Sequence, residues 1–280
     1  MPRQGDGAAA AVSSARDAVT AAEAALAAAG CDTPRLDAEL LIADALGVDR
    51  SALVTEPDMA VSPTAARRAM ERVRRRVARE PVAYILGRRG FRRLELMVDA
   101  RALVPRPETE LLVEVAVATV PRGAWVHDAG TGCGAVALAL ADERPDLLVS
   151  ASDASADAVA VARANAARLG LDVEVAAARD LPWAGPDVLS LVTANMPYVR
   201  EDEWPLLAPE IRRYEPRAAL VGGPDGLAAI RGLLVAAPRG TLLALEHAPD
   251  QGSAVRALLH DAETHRDLAG RERVTVGRAP

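Results

Sequence analysis

A glycine-rich turn between a short apolar stretch and an alanine-rich stretch is the feature that most limits how this chain can fold. Residues 125–140 read WVHDAGTGCGAVALAL. The apolar start predicts a strand that ends in the acid Asp128, the three glycines predict a tight turn, and the remainder predicts a helix. Strand, glycine turn and helix N-terminus in this order are typical of nucleotide-binding loops in α/β proteins, because glycine lets the backbone approach a ligand closely.

The spacing of these glycines, at 130, 132 and 134, narrows the class of ligand. It is Gly-x-Gly-x-Gly, whereas a dinucleotide pyrophosphate usually requires Gly-x-Gly-x-x-Gly. The tighter spacing suits a cofactor without a phosphate to cradle, such as S-adenosylmethionine (SAM). A second apolar stretch at 147–151 is followed by Asp153, whose carboxylate would accept hydrogen bonds from two ribose hydroxyls. A purely structural glycine turn and a nicotinamide-binding loop remain open on these residues alone.

Length and charge exclude some classes of protein. With 280 residues, 50% of them hydrophobic, the chain predicts a globular protein of two domains, one of them small. All 33 basic residues are arginine, and the net charge of -6 is uneven: residues 1–90 carry 13 arginines and 12 acids, the remainder 20 and 27. The acidic second part disfavours direct binding to a nucleic-acid backbone, which requires clustered positive charge.

Neither a metal site nor a membrane segment is predicted. The two cysteines, Cys31 and Cys133, are too few for a disulfide framework and form no metal-ligand pattern. Charged residues at 16, 17 and 23 interrupt the N-terminal alanine run, and no apolar stretch reaches about 18 residues, so we expect neither a signal peptide nor a membrane span. The interpretation is a soluble, cytoplasmic protein that works as a monomer.

A small helical domain is predicted at 13–86, after a disordered tail at 1–12. Helical signals cover three stretches, which are 13–29, 34–46 and 63–79. The third carries a run of arginines that would form either a docking face for a negatively charged partner or a solvated helix surface, and we favour the solvated surface. These arginines are Arg67, Arg68, Arg72, Arg74, Arg75, Arg76 and Arg79.

From residue 87 onward the pattern predicts a hairpin linker at 87–106 and a catalytic α/β domain at 107–280. A helix from Pro107 to about Thr119 precedes alternating elements, with strands near 124–128, 147–152, 172–176, 187–194 and 239–246, helices near 134–143, 155–169, 225–237 and 251–260, and a closing hairpin at 263–267 and 273–276. This alternation predicts a Rossmann-like parallel sheet with helices on both faces. Ligands of such sheets bind at the carboxyl ends of the strands, where the chain places Asp128, Asp153, Asp180 and Asn195.

The stretch Asn195-Met196-Pro197-Tyr198, which follows an apolar strand, predicts the chemistry. A carboxamide or exocyclic nitrogen is a poor nucleophile because its lone pair is delocalised. The Asn195 side-chain oxygen and the next backbone carbonyl can each accept one N–H bond, which fixes the plane of an acceptor amide and turns its nitrogen towards an electrophile. Tyr198 offers a flat face to the amide, and Pro197 stiffens the turn. An Asx-type turn with no function is the alternative on these four residues alone.

Eight stretches of the sequence resemble the peptide-chain release factor glutamine N5-methyltransferase family. They are 34–41 (PRLDAELL), 80–87 (EPVAYILG), 103–110 (LVPRPETE), 128–134 (DAGTGCG), 195–198 (NMPY), 215–220 (EPRAAL), 245–247 (LEH) and 272–278 (ERVTVGR). The resemblance implies a helical N-terminal domain that recognises release factors and a class I SAM-dependent methyltransferase domain. The implied reaction transfers a methyl group to the side-chain nitrogen of the glutamine in the release factors' Gly-Gly-Gln loop.

The resemblance also implies roles for individual residues. The implied cofactor-binding set is Asp128, Gly130, Thr131, Gly132, Cys133, Gly134, Asp153, Asp180, Leu181 and Asn195. The implied catalytic residues, which also bind the acceptor, are Asn195, Met196, Pro197 and Tyr198, and the substrate-binding set further includes Arg106, Pro107 and Glu108. The family usually has proline where this chain has Met196, whose backbone carbonyl can still accept the amide N–H.

Several alternatives remain open. Methionine at position 196 is compatible with a paralogue that methylates another protein glutamine or a small-molecule amide. A DNA adenine N6-methyltransferase uses a similar motif on a flipped base, but the catalytic part here lacks a basic groove and a target-recognition insert. A non-catalytic SAM-binding protein is disfavoured by the presence of Asp153 and Asn195, and a nicotinamide dehydrogenase is disfavoured by the glycine spacing.

Overall fold

The computed structural model describes residues 14–178, 181 and 189–280. The chain divides into two compact units, Met1–Leu86 and Gly87–Pro280. In the described residues, no helix is both long enough and apolar enough to cross a membrane.

The first unit is helical, and its helices begin where the sequence supplies caps. They are α1 (Ala15–Ala28), α2 (Pro34–Leu46), α3 (Ala52–Thr55), α4 (Pro63–Val77) and α5 (Val82–Leu86). Ser14 and Asp17 form a capping box at the start of α1, and proline opens both α2 and α4, where its missing N–H costs no hydrogen bond. The sequence did not predict α3 and α5, which are too short to show a helical period.

The arginines of α4 are not simply a solvated surface. Arg76 is 5% exposed, and its Nε donates to Asp37 Oδ2 at 2.7 Å. Arg75 forms an ion pair with Glu80, and Arg72 with Asp44. The expectation of a solvated face is therefore wrong for Arg76, because α4 packs against α2 and a buried guanidinium requires a charged partner.

The second unit opens with an antiparallel hairpin, β1 (Arg88–Phe91) and β2 (Leu94–Met97), followed later by a 3-10 turn (Pro107–Thr109) and α6 (Glu110–Thr119). A central sheet and its helices make up the rest. These are β3 (Trp125–Ala129), α7 (Ala135–Glu143), β4 (Leu148–Asp153), α8 (Ala156–Leu169), β5 (Glu174–Ala177), β6 (Leu189–Asn195), α9 (Pro209–Tyr214), α10 (Ala228–Ala236), β7 (Leu242–Glu246), α11 (Gly252–Ala257), β8 (His260–Arg266) and β9 (Glu272–Arg278).

The sheet has the order β5-β4-β3-β6-β7-β9-β8. The first five strands in this order pair in parallel, and the closing hairpin β8–β9 adds antiparallel to β7. Buried residues such as Leu191, Val192 and Leu243 give the central strands the near-continuous apolar character of strands covered on both faces. The predicted α/β fold class is confirmed.

The chain order reverses between β3 and β6, which are neighbours in the sheet. From β3 the chain proceeds to β4 and β5 on one side, and it then returns to add β6 and β7 on the other. In sheets of this kind the crevice outside the carboxyl ends of the strands at the reversal point binds the ligand. The glycine turn follows β3, and Asn195 is the last residue of β6, so both lie at this point.

Candidate active site

The glycine turn after β3 takes backbone conformations that require glycine. Gly130, Gly132 and Gly134 have φ angles of 72°, 58° and 90°, in the left-handed region that side chains disfavour. A Cβ atom added to Gly134 would also lie 2.9 Å from Leu138 Cδ1. The N–H groups of Gly130 and Thr131 donate to the Ser152 carbonyl oxygen at 2.8 and 3.0 Å, which fixes the turn against β4.

Asp153 lies beside this turn, at the end of β4. Its Oδ2 accepts the Gly132 N–H at 2.9 Å, and its Oδ1 accepts the Ser155 N–H at 2.8 Å. A carboxylate has about four acceptor positions, so both oxygens retain capacity for a further hydrogen bond. The arrangement fixes the carboxylate beside the glycine turn, and its role towards a ribose stays a prediction.

Asp128 and Cys133 support the turn from inside the protein. Asp128 is 2% exposed and accepts a hydrogen bond from the Thr193 hydroxyl at 2.9 Å. Burial raises the pKa of Asp128 to about 6. Burial also raises the pKa of the Cys133 thiol to about 12, and the Cys133 carbonyl accepts the Asn165 amide at 2.9 Å.

A pocket brings the glycine turn, the segment before α6 and Asn195 together. Thr131 lines it with a buried hydroxyl that lies near the Asp128 carboxyl, whose pKa it lowers, but that makes no hydrogen bond of good geometry with the residues described. A polar atom left in this state fits a ligand with its own hydrogen-bonding groups. The full lining is Leu103, Pro105, Arg106, Thr109, Asp128, Gly130, Thr131, Gly132, Cys133, Ala135, Val136 and Asn195.

Asn195 lines this pocket, and its side-chain nitrogen is already engaged. The Asn195 Nδ2 donates to Thr109 Oγ1 at 2.9 Å, which leaves the Asn195 side-chain oxygen outside this bond. The Met196 side chain that follows lies over the glycine turn, since a Cβ atom on Gly130 would be 3.4 Å from Met196 Sδ. The stretch 195–198 and the glycine turn are therefore neighbours in the structure.

A glycine-rich loop at 222–226 encloses the backbone of Pro197 and Tyr198. A Cβ atom on Gly222 would lie 2.2 Å from the Pro197 carbonyl oxygen, and one on Gly226 would lie 2.2 Å from the Tyr198 carbonyl oxygen. The Gln251 Nε2 also donates to the Tyr198 carbonyl at 3.0 Å. Burial, and to a smaller extent the Glu246 charge, raises the pKa of the Tyr198 phenol, so it stays protonated.

The segment before α6 is held in place by a buried acid. Glu215 accepts a hydrogen bond from Arg106 Nη2 at 2.6 Å and another from the Val104 N–H at 3.2 Å. Arg106 thus lines the pocket while its charge is paired with Glu215. Pro107 opens the 3-10 turn that includes Glu108 and ends at Thr109.

Two further residues are predicted to bind the cofactor. Asp180 lies outside the described residues. Leu181 packs, partly buried, against the hydrophobic cluster that includes Val192 and Leu243 and is not among the residues that line the pocket. In the described part of the chain, no group of three or more His, Cys, Asp or Glu side chains is arranged to hold a metal ion.

Sequence reasoning missed several residues that support the site. The sequence pattern predicts for Thr109 only a place at the start of a helix. It predicts no role for Thr193 or for the loop at 222–226. Glu215 and Glu246 fall within stretches that carry the family resemblance, yet neither was given a role. Their partners are distant in the sequence, 111 residues in the case of Glu215 and Val104, so local patterns held no signal for the pairing.

The sheet order, the glycine turn after β3 and the polar motif after β6 define a Rossmann-like methyltransferase. Residues 107–205 match the family model "Methyltransferase small domain". Among solved structures, the chain is similar to the hMettl16 catalytic domain in complex with an RNA hairpin, with a TM-score of 0.50 and 13% identity over 78% of this chain and 82% of that one. At this identity the likeness extends to the fold alone.

Relatives across the whole chain narrow the class to one family. Residues 17–87 match the model "PrmC N-terminal domain". The chain is 42% identical to the release factor glutamine methyltransferase of Xylella fastidiosa, covering 91% of this chain and 97% of that protein. It is 46% identical to the protein of the same name from Pseudomonas aeruginosa, covering 88% and 94%. The chain belongs to the release factor glutamine methyltransferase family, which confirms the family predicted from its motifs.

Proposed function

We propose that this protein transfers a methyl group from SAM to the side-chain amide nitrogen of a glutamine in a peptide-chain release factor, at the Gly-Gly-Gln loop. The observation that carries the proposal is the orientation of the Asn195 amide. Its nitrogen donates to Thr109, so its oxygen is left to accept an N–H from the acceptor. The relatives of this chain that are named release factor glutamine methyltransferases support the same acceptor.

The residues around the glycine turn fit SAM. The glycine spacing of the turn is one residue shorter than the spacing typical of pyrophosphate binding. The Asp153 carboxylate keeps acceptor capacity for ribose hydroxyls. The Thr131 hydroxyl makes no hydrogen bond of good geometry with the described residues, so it can bond to the cofactor. The proposed binding set is the one predicted from the sequence, with Asp180 and Leu181 as predictions that rest on the resemblance. When bound, SAM supplies an electrophilic methyl group.

The protein's own contribution is to place a weak nucleophile. The Asn195 oxygen accepts one N–H of the glutamine amide, and the Met196 carbonyl is proposed to accept the other. Two acceptors fix the plane of the amide and aim its nitrogen at the cofactor, which is positioning together with electrostatic stabilisation. No strong base is required at the nitrogen, because the methylated amide is a cation that loses its proton readily.

The helical unit is proposed to recognise the protein acceptor. The proposed domain at 13–86 precedes a proposed hairpin linker at 87–106 and a proposed catalytic domain at 107–280. The match of residues 17–87 to the PrmC N-terminal domain model supports a role that this unit shares with the family. A monomer that meets its acceptor in the cytoplasm, during translation termination, is the setting we propose.

The test is methyl transfer from labelled SAM into purified release factor, followed by peptide mapping. The proposal expects label on the glutamine of the Gly-Gly-Gln loop. A free glutamine-containing peptide, a small-molecule amide and adenine-containing DNA serve as competing acceptors. Label on DNA or on a small amide, with none on release factor, would overturn the proposal.

A further inference from the structure

A buried acid lies next to the acceptor motif without a hydrogen-bond partner. Glu246, the last residue of β7, is 0% exposed and pairs in register with Asn195 of β6. Neither of its carboxylate oxygens accepts a hydrogen bond in adequate geometry from any described residue. Leaving a buried carboxyl in this state is costly, so the residue requires an explanation beyond packing.

The groups that face Glu246 come from several elements. The hydroxyls of Thr109 and Tyr198 and the charge of Arg273 act to lower the pKa of Glu246, whereas Glu108 acts to raise it. Burial outweighs these groups and raises the pKa of Glu246 to about 7. The Thr109 hydroxyl therefore lies near the Glu246 carboxyl, in a geometry that falls short of a hydrogen bond.

Thr109 connects this acid to Asn195. Its oxygen accepts the Asn195 Nδ2 hydrogen at 2.9 Å, so its own single proton must point to a different acceptor. The Glu246 carboxyl, whose pKa the Thr109 hydroxyl lowers, is a group that can accept this proton. If the Thr109 proton goes to Glu246, the Thr109 oxygen can only accept from Asn195, and the orientation of the Asn195 amide is then fixed.

The direction of the hydrogen bond between Thr109 and Asn195 affects the reaction. If the Thr109 proton pointed at Asn195 instead, the Asn195 amide would be turned over and its NH2 group would face the NH2 group of the acceptor glutamine. Two donors facing each other form no hydrogen bond, and the acceptor would lose its alignment. Within the proposed function, on which this inference rests, one orientation of Asn195 is productive and the other is not.

We propose that Glu246 is a positioning residue for methyl transfer, which acts through the Thr109 hydroxyl to hold the Asn195 side-chain oxygen towards the acceptor amide. Glu246 is not among the residues that line the pocket, and the proposed role requires no contact between Glu246 and cofactor or acceptor. Glu246 changes the rate only by changing the fraction of molecules in which the Asn195 side-chain oxygen faces the acceptor amide.

The experiment is a double-mutant cycle on the full-length protein, with release factor as acceptor. Glu246→Leu removes the acceptor at similar volume, and Thr109→Val removes the hydroxyl at nearly constant shape. Each single variant is expected to lose kcat on the order of 10- to 100-fold, the effect of one polar contact, with SAM affinity and the KM for release factor changed less than about threefold. The double variant should be no worse than Thr109→Val, because the two residues act in series.

Two further variants separate positioning from structure. Thr109→Ser keeps the hydroxyl and is expected to retain activity within about twofold. Thr119→Val, at the other end of α6, removes a hydroxyl that donates to the Val115 carbonyl at 2.7 Å, and it is expected to leave kcat unchanged. If Glu246→Leu does not fold, Glu246→Met, which also lacks an oxygen acceptor, takes its place in the cycle.

The outcomes separate this inference from the proposed function. A parent protein that does not methylate release factor would refute the proposed function. If the parent is active and the Glu246 variants are fully active, the role of Glu246 is overturned and the proposed function stands. The same holds if the kcat losses of the two single variants multiply in the double variant. Losses that do not multiply, together with rescue by Thr109→Ser, support it.

Discussion

Asn195 and Thr109 are 86 residues apart in the sequence, and the Nδ2 atom of Asn195 donates to the Thr109 hydroxyl oxygen over 2.9 Å. This contact joins the end of a central strand to the start of α6. In this contact the Asn195 nitrogen is the donor, and the proposed chemistry depends on that orientation of the amide.

Asp153→Ala is expected to weaken SAM binding by about 1–3 kcal/mol, the usual cost of removing a charged hydrogen-bond acceptor. The carboxylate also holds the Gly132 N–H, so some of the loss would come from the loop. Calorimetric titration with SAM measures the effect. Asp157→Ala is the matched control, since Asp157 is exposed on α8, and unchanged affinity in Asp153→Ala would reject the predicted ribose-binding role.

Gly222→Ala is expected to disturb the acceptor motif, because the added Cβ would lie 2.2 Å from the Pro197 carbonyl oxygen. Overpacking of this kind typically costs about 1–3 kcal/mol of stability, and methyl transfer should fall with it. Gly232→Ala in α10 is the control: a Cβ there meets nothing within 4 Å, and the change should stabilise the helix by roughly 0.5–1 kcal/mol. Equal effects of the two changes on activity would contradict the tight enclosure of the motif.

The buried Glu246 should make stability depend on pH. Its pKa is raised from 4.5 to about 7 by burial, against the opposing influence of Thr109, Arg273 and Tyr198. An acid with a higher pKa in the folded state binds its proton more tightly there, so its contribution to the free energy of unfolding is lost as the pH rises from about 4.5 to about 7.

Glu246→Gln should therefore raise the melting temperature more at pH 8 than at pH 5, since a neutral amide has no charge to bury. The gain is bounded at about 3 kcal/mol by the size of the pKa shift. Thermal unfolding of both proteins at the two pH values measures it. A gain that is the same at both values would show that Glu246 is not neutralised by folding.

Met196→Pro should be tolerated, because the role proposed for Met196 uses its backbone carbonyl. Proline restores the fixed φ that the family usually has at this position. Methyl transfer to a release factor and to a Gly-Gly-Gln peptide, compared for parent and variant, gives the measurement. Equal rates favour release factor as the natural acceptor. A variant that is faster on release factor would indicate that methionine accommodates another acceptor.

Much of the fold followed from local patterns. The glycine turn, the alternation of strands and helices, and the positions of Asp153 and Asn195 at strand ends were each visible within a short window of sequence. The short helices α3 and α5 were not, because four or five residues do not show a period. The expectation of a solvated surface is wrong for Arg76 of α4, because its ion pair with Asp37 is a contact between two helices that a single stretch of sequence does not show.

The supporting groups of the site could not be found in the same way. Thr193 reaches Asp128 across neighbouring strands, and Gly222 matters only because the Pro197 carbonyl lies against it. Such contacts arise from the topology that brings β3, β6 and β7 together. A single sequence gives the residues but not their distances.

The most direct test of the account compares the parent with Asn195→Ala in methyl transfer to intact release factor, with the modified residue mapped by mass spectrometry. The parent is expected to place one methyl group on the glutamine of the Gly-Gly-Gln loop. Asn195→Ala should lose kcat on the order of 10²-fold or more, as for removal of one preorganised polar partner, while SAM affinity falls less. Full activity of Asn195→Ala, or methylation of a different residue by the parent, would contradict the account.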